Sequence, residues 1–189
     1  MITSIDFQIL NAIQDSIRCA FLDVVMAIFS YIGELGAIWV LIGVVMLFFR
    51  KLRPIAIMMF ASMLLALLIG EVGIKNIVCR PRPFWFNTDI TLNIHAPAGY
   101  SFPSSHTSTS FAAALALTFG LKKPWVGISA YALAALIAFS RLYNYVHFPS
   151  DVLAGALVGT FCAIVMIIIY KRFKLDEKLS RPIRFKGGS

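Results

Sequence analysis

Residues 54–70, 103–121, 124–140 and 152–170 contain no aspartate, glutamate, lysine or arginine, and they are crowded with Leu, Ile, Val, Ala and Phe. A bilayer core of about 30 Å takes about 20 helical residues, within a range of about 17 to 25. Each of these four runs therefore reads as a membrane-spanning helix. Residues 35–49 form a further span if they recruit residues before Glu34. Residues 24–33 are too short to cross alone, so a partial or re-entrant helix, or an extra tight span, is expected there. Residues 1–18 place Ile2, Ile5, Phe7, Ile9, Leu10, Ile13 and Ile17 among Asp6, Asn11, Gln14, Asp15 and Arg18, the pattern of a helix lying at the interface. The expectation is an all-α integral membrane protein, a bundle of about six helices with five or six spans plus the N-terminal interfacial helix. A composition of 59% hydrophobic and 14% charged residues agrees, being far from the balance of a soluble domain. Residues 1–189 read as one domain, since no linker, low-complexity tract or repeat divides them.

The net charge of +8 does not point to nucleic acid, because the basic residues sit in clusters between apolar runs. Arg50, Lys51 and Arg53 form one cluster, Lys122 and Lys123 a second, and Lys171, Arg172, Lys174 and Lys178 a third, followed by a basic tail over 179–189. Single crossings put all three on one side, which the positive-inside rule makes cytoplasmic. The same parity puts residues 75–102 and 141–150 together on the opposite face. A multi-pass protein of a bacterial cytoplasmic membrane, with its chemistry facing outward, is the expected placement. Residues 1–15 hold two aspartates and no basic residue, so no cleaved signal peptide is expected. Gly187, Gly188 and Ser189 read as an appended tail. Cys19, Cys79 and Cys162 show no metal-ligand spacing and receive no function.

Three polar islands meet on the outward face: KNIVCRPRP over 75–83, PSSH over 103–106 and SRLYNYVHFPSD over 140–151. Charges kept at membrane ends against the positive-inside rule mark functional sites. Lys75, Arg82 and Arg141 offer point-charge and bidentate donors for phosphate oxygens. Pro103, in a first helical turn with Ser104, Ser105 and His106, would open a helix toward the same anion. His106 and His147 supply a nucleophile and an acid, since an imidazole with an ordinary pKa of about 6.5 is partly neutral near neutral pH. Asp151 follows His147 by four residues across a helix start at Pro149. Its carboxylate would hold one ring N–H and present the other nitrogen to phosphorus. His95 and Asp23 read as structural, Glu34 as a break between helices beside Gly33 and Gly36, and Glu71 and Arg80 as charges able to steady the site. The connection 84–102, with its aromatic residues, is expected to rim it.

These islands resemble the three signatures of the type 2 phosphatidic acid phosphatase family, K-x6-R-P, P-S-G-H and S-R-x5-H-x3-D, shared with vanadium haloperoxidases and bacterial acid phosphatases. The resemblance implies that Lys75, Arg82 and Arg141 bind phosphate oxygens, with Ser104 and the backbone at Ser105 adding donors. It further implies that His147 becomes a phosphohistidine, that Asp151 orients it, that His106 protonates the leaving oxygen, and that neither metal nor other cofactor is needed. One departure is Ser105, where the family has glycine, which bears on substrate fit. Three functional classes follow: a lipid phosphatase, a membrane anion carrier and a haloperoxidase. The last branch of the superfamily is soluble. A carrier would place polar residues in the middle of several spans, often with an internal repeat. The expected partners are a lipid phosphate substrate and membrane lipids, without nucleic acid. The resemblance favours undecaprenyl diphosphate, with phosphatidylglycerophosphate or phosphatidate as the alternative.

Overall fold

The computed structural model describes residues 4–173, so the expected tail over 179–189 lies outside the described residues, as do Lys174 and Lys178. The described residues form α1 (Ser4–Ser16), α2 (Ala20–Ile32), α3 (Ala37–Leu47), α4 (Arg53–Leu67), α5 (Lys75–Val78), α6 (Ser105–Leu121), α7 (Pro124–Tyr143) and α8 (Pro149–Arg172), with no strand among them. Helices suit lipid because each satisfies its backbone hydrogen bonds within its own segment. Arg53–Trp85, Pro124–Tyr143 and Pro149–Arg172 are each long and apolar enough to cross a membrane. The 17 residues of α6 reach about 25 Å at 1.5 Å each, the lower end of the spanning range. Leu153, Leu157, Phe161, Ile164 and Ile168 of α8 form an exposed apolar stripe at helical spacing, as a lipid-facing surface requires.

The stretch left open in the sequence is a bent helix pair, with the geometry of a broken span or a re-entrant loop. α2 and α3 reach spanning length only together, across a 52° bend. α2 runs along the end of α7, with Asn144 Nδ2 donating to the Met26 carbonyl at 3.2 Å, and α3 continues against α4 toward the Arg50 cluster. The bend arises because Leu35 and Gly36 are both left-handed, with φ of 50° and 71°. At Gly36 the left-handed conformation favours glycine, and an added Cβ would also push aside the Met63 methyl 2.7 Å away. Trp39 Nε1 donates to Ser110 Oγ at 2.9 Å and ties the second half of this pair to α6.

α6 is the axis of the bundle, packed against α4, α7 and α8. Thr107, Ser108, Thr109, Ser110, Ala112, Ala113, Ala114 and Ala116 are buried, and small side chains let three neighbours approach at once. The approach of α8 is closest: a Cβ at Gly155 would meet the Ser104 carbonyl oxygen at 2.6 Å and one at Gly159 the Ser108 carbonyl oxygen at 2.1 Å. Membrane helices commonly associate through such small-residue seams, because lipid offers little apolar driving force between them.

Two further details set the site. Between α4 and α5 the chain widens into a π-helical stretch, Leu68–Ile74. The inward positions Met59, Met63, Ala66 and Gly70 step by three or four residues, and the next, Lys75, comes after five. The start of α6 is later than expected: Pro103 lies before the helix and Ser104 is its extended N-cap. The Ser104 N–H donates to the Asp151 carbonyl at 3.0 Å, which holds Ser104 out of the helix and ties α6 to α8.

Candidate active site

Lys75, Arg82, Ser105, His106, Arg141 and His147 line one cavity of about 550 Å³, although they come from three separate stretches of the chain. Lys75 ends the π-widened helix, and Arg82 follows in extended chain after Cys79 closes α5 in a left-handed cap. Ser105 and His106 open α6, Arg141 stands in the last turn of α7, and His147 sits in the turn between α7 and α8. Ser104 and Asp151 lie behind the wall, both fully buried. The Ser104 hydroxyl accepts from Thr107 Oγ1 at 3.0 Å, so it faces its own helix.

The geometry assigns the tautomer of His147. Arg82 Nη1 lies 3.2 Å from His147 Nε2, and a guanidinium has hydrogens only to give, so Nε2 is the accepting nitrogen with its lone pair. The proton is then on Nδ1, which stands 3.5 Å from Asp151 Oδ2. Asp151 is held on the far side, because Oδ2 accepts from the Phe148 N–H at 2.8 Å and Oδ1 from Arg80 Nη1 at 2.6 Å. Burial, and after it the charges of Arg82, Arg141 and Lys75, pushes the His147 imidazole well below its ordinary pKa. The free site thus keeps this ring neutral.

The cations are buried but not idle. Arg82 donates through Nε to the Gly99 carbonyl at 2.9 Å and through Nη2 to the Ala98 carbonyl at 3.1 Å, which fixes the loop over the cavity. Arg141 Nη1 donates to the Ser30 hydroxyl on α2, and its Nε has no partner among the described residues. Lys75 Nζ reaches Glu71 at 2.6 Å and Ser105 Oγ at 3.2 Å, while the Ser105 hydroxyl also donates to Glu71. The serine that departs from the family pattern therefore bridges a lysine and a carboxylate. His106 Nε2 stands 3.4 Å from the Glu34 carboxylate.

Several residues outside the motifs belong to this site. Glu34, read as a helix break, is at the break and also faces His106. His95, set aside as structural, lies on the cavity wall with Ile94, Ala96 and Pro97. Arg80 joins Asp6 to Asp151, and Asp23 accepts from Tyr143 and from Asn93, anchoring the loop to α2 and α7. The connection rims the cavity as expected. Arg80 steadies the site as its charge beside the motif residues suggested, and the glycines around Glu34 mark a bend, whereas local sequence signals no such role for Asp6, Asp23 or His95.

The PAP2 superfamily profile matches residues 52–175. The chain belongs to the PAP2 superfamily. All three polar islands fall inside that match, and Asp6, Ser30 and Glu34 fall outside it. The undecaprenyl-diphosphatase of Sulfolobus acidocaldarius is 33% identical over 132 residues, 70% of this chain and 63% of that protein. The chain thus spans less than two thirds of that PAP2 relative. Among solved PAP2 structures, Aquifex aeolicus LpxE superposes with a TM-score of 0.72 at 28% identity, covering 88% of this chain and 96% of its own. The transmembrane PAP2-type phosphatidylglycerolphosphate phosphatase of Bacillus subtilis gives 0.70 at 28% identity, covering 96% and 90%.

Proposed function

We propose that this protein is a lipid phosphatase that removes phosphate from a membrane lipid phosphate or diphosphate at the extracytoplasmic face, through a phosphohistidine intermediate. The observation that carries the reading is the shared cavity: Lys75, Arg82, Arg141, His106 and His147 all line it, with the lone pair of a neutral His147 Nε2 on the Arg82 side. Lys75, Arg82 and Arg141 neutralise the phosphate oxygens, with the backbone at Ser105 adding a donor. His147 Nε2 attacks phosphorus, forming a P–N bond as the P–O bond to the lipid breaks. His106 gives its proton to the departing oxygen, a contribution typically worth about 10² to 10⁴-fold. Asp151, whose Oδ2 stands 3.5 Å from Nδ1, orients the ring and stabilises it once it is positive. Water then attacks phosphorus, His106 takes its proton, the P–N bond breaks, and phosphate leaves with His147 neutral again.

Undecaprenyl diphosphate, cleaved to undecaprenyl phosphate, is the substrate favoured by the 33% identity to an enzyme of that name. Phosphatidylglycerophosphate is the second reading, supported by a structural relative that covers 96% of this chain. A membrane anion carrier is less well supported, since the cavity's charged residues gather at span ends rather than in the middle of several spans.

The test is phosphate release by the purified protein from undecaprenyl diphosphate, phosphatidylglycerophosphate, phosphatidate and a soluble ester, each with vanadate and with chelator. Release from a lipid, blocked by vanadate and indifferent to chelator, is expected, with acid-labile, base-stable ³²P on the His147 peptide after acid quench. No release from any lipid, or label on another residue, overturns the reading.

A further inference from the structure

We infer that Asp6 and Arg80 form a positioning pair for the His147–Asp151 dyad, so that the N-terminal helix α1 is part of the machinery of the reaction. The inference rests on the phosphatase reading above and adds residues that the three motifs omit. Asp6 lies 46 residues before the start of the superfamily match at residue 52.

The contacts form one continuous buried chain. Arg80 Nη2 donates to Asp6 Oδ2 at 2.7 Å, and Arg80 Nη1 donates to Asp151 Oδ1 at 2.6 Å and to Ser150 Oγ at 2.7 Å. Asp6 Oδ1 accepts from the Ser150 N–H at 3.0 Å and Oδ2 from the Ser150 hydroxyl at 2.7 Å. The carboxylate of α1 thus also satisfies an orphan N–H in the first turn of α8, where the helix dipole favours an anion. The guanidinium carbon stands 4.1 Å over the Phe148 ring, and Phe7 packs edge-on against the same ring at 5.2 Å. Asp6, Arg80 and Asp151 are at most 6% exposed, so their charges interact with little screening by water.

The alternation of charge gives this chain its purpose. Asp6, Arg80, Asp151 and the ring of His147 run negative, positive, negative and then positive once the ring is phosphorylated. Arg80 holds Oδ1 of Asp151, while Oδ2 accepts from the Phe148 N–H at 2.8 Å and stands 3.5 Å from His147 Nδ1. Asp6 in turn holds the other arm of the Arg80 fork, adding to the restraint that Ser150 and the Phe148 ring already place on it. Lysine at position 80 could not reach both carboxylates with the same geometry, because its ammonium is a point donor on a flexible stem.

The experiment uses the full chain in detergent and the best hydrolysed lipid of the panel above. Asp6→Asn, Asp6→Glu, Arg80→Lys, Arg80→Gln and the double variant Asp6→Asn/Arg80→Gln are compared for kcat, KM and quenched ³²P-phosphoenzyme. Asp6→Asn and Arg80→Gln should each lower kcat by about 10- to 100-fold, with KM within about threefold and less phosphoenzyme. The double variant should lose little more than the worse single one, because the two residues act as a unit. Asp6→Glu should recover part of the loss. If Asp6→Asn and Arg80→Gln do not fold, Asp6→Glu and Arg80→Lys keep the charges with altered reach, and a lowered kcat at unchanged KM is expected of both. Wild-type kcat in every folded variant overturns the positioning role alone. A wild type that releases no phosphate from any lipid overturns the phosphatase reading and this inference with it.

Discussion

Replacing Gly155 by alanine probes how closely the two halves of the site are clamped together. The added methyl would stand 2.6 Å from the Ser104 carbonyl oxygen, 3.1 Å from Thr107 Cβ and 3.4 Å from the Ser108 nitrogen. Ordinary contact begins at 3.4 Å, so α6 and α8 must part by about 0.8 Å at a point where the nearest atom is a backbone oxygen. Ser105 and His106 ride on α6, whereas Asp151 rides on α8 and holds His147. A misplacement of about 1 Å costs up to about 10²-fold in rate, so kcat should fall by about 10- to 100-fold. Overpacking should also lower stability by about 1–3 kcal/mol. Gly159→Ala meets backbone at 2.1 Å one turn deeper, so it should lose more stability. Gly73→Ala, whose nearest neighbour is 3.6 Å away, serves as the control. Thermal unfolding in detergent and phosphate release per folded molecule are the readouts. A Gly155→Ala protein with wild-type kcat and wild-type Tm would refute the backbone seam as the device that sets the site's spacing.

Three other outcomes are expected. A substrate whose leaving group needs no proton should partly rescue His106→Ala and leave His147→Ala inactive; equal rescue of both, measured as kcat/KM, contradicts the assignment of acid and nucleophile. Because burial and the cations Arg82, Arg141 and Lys75 depress the His147 pKa, with His106 adding to them, the ring should stay neutral as pH falls through 6.5. The acid limb of kcat/KM should therefore lie below pH 6.5, and a limb at or above that value counts against a neutral nucleophile. A single cysteine placed in residues 87–94, in a background without Cys19, Cys79 and Cys162, should react with an impermeant reagent in intact cells; reaction only after lysis reverses the proposed orientation.

The four long apolar runs and the three islands were legible because each is written locally, in charge-free length or in motif spacing. Convergence of the islands also followed from parity. The first 50 residues were not legible in the same way. Asp6 meets Arg80 across 74 positions and Ser30 meets Arg141 across 111, and no periodicity in either segment encodes those meetings. Glu34 was visible as a bend, since glycines flank it, but a bend does not say which side chain it aims at His106. Pro103 was misread because a proline before serines suggests a first turn, whereas the tertiary bond from the Ser104 N–H to Asp151 decides where the helix begins.

The π-helical stretch Leu68–Ile74 carries an extra residue in its hydrogen-bonded turn, and that residue has an accounting in helix phase. A regular α-helix advances about 100° per residue, so four steps past Gly70 would bring residue 74 to the inward face and leave Lys75 about 100° round toward lipid. The widened turn absorbs the difference and lets a span with one residue too many still aim its lysine inward. Removing one residue from the stretch, by deletion of Gly73, should close the turn to ordinary α-helix while Lys75 keeps its place against Ser105. Loss of one residue at this point should therefore be tolerated, whereas an insertion between Lys75 and Arg82 would separate two cations that line the same cavity.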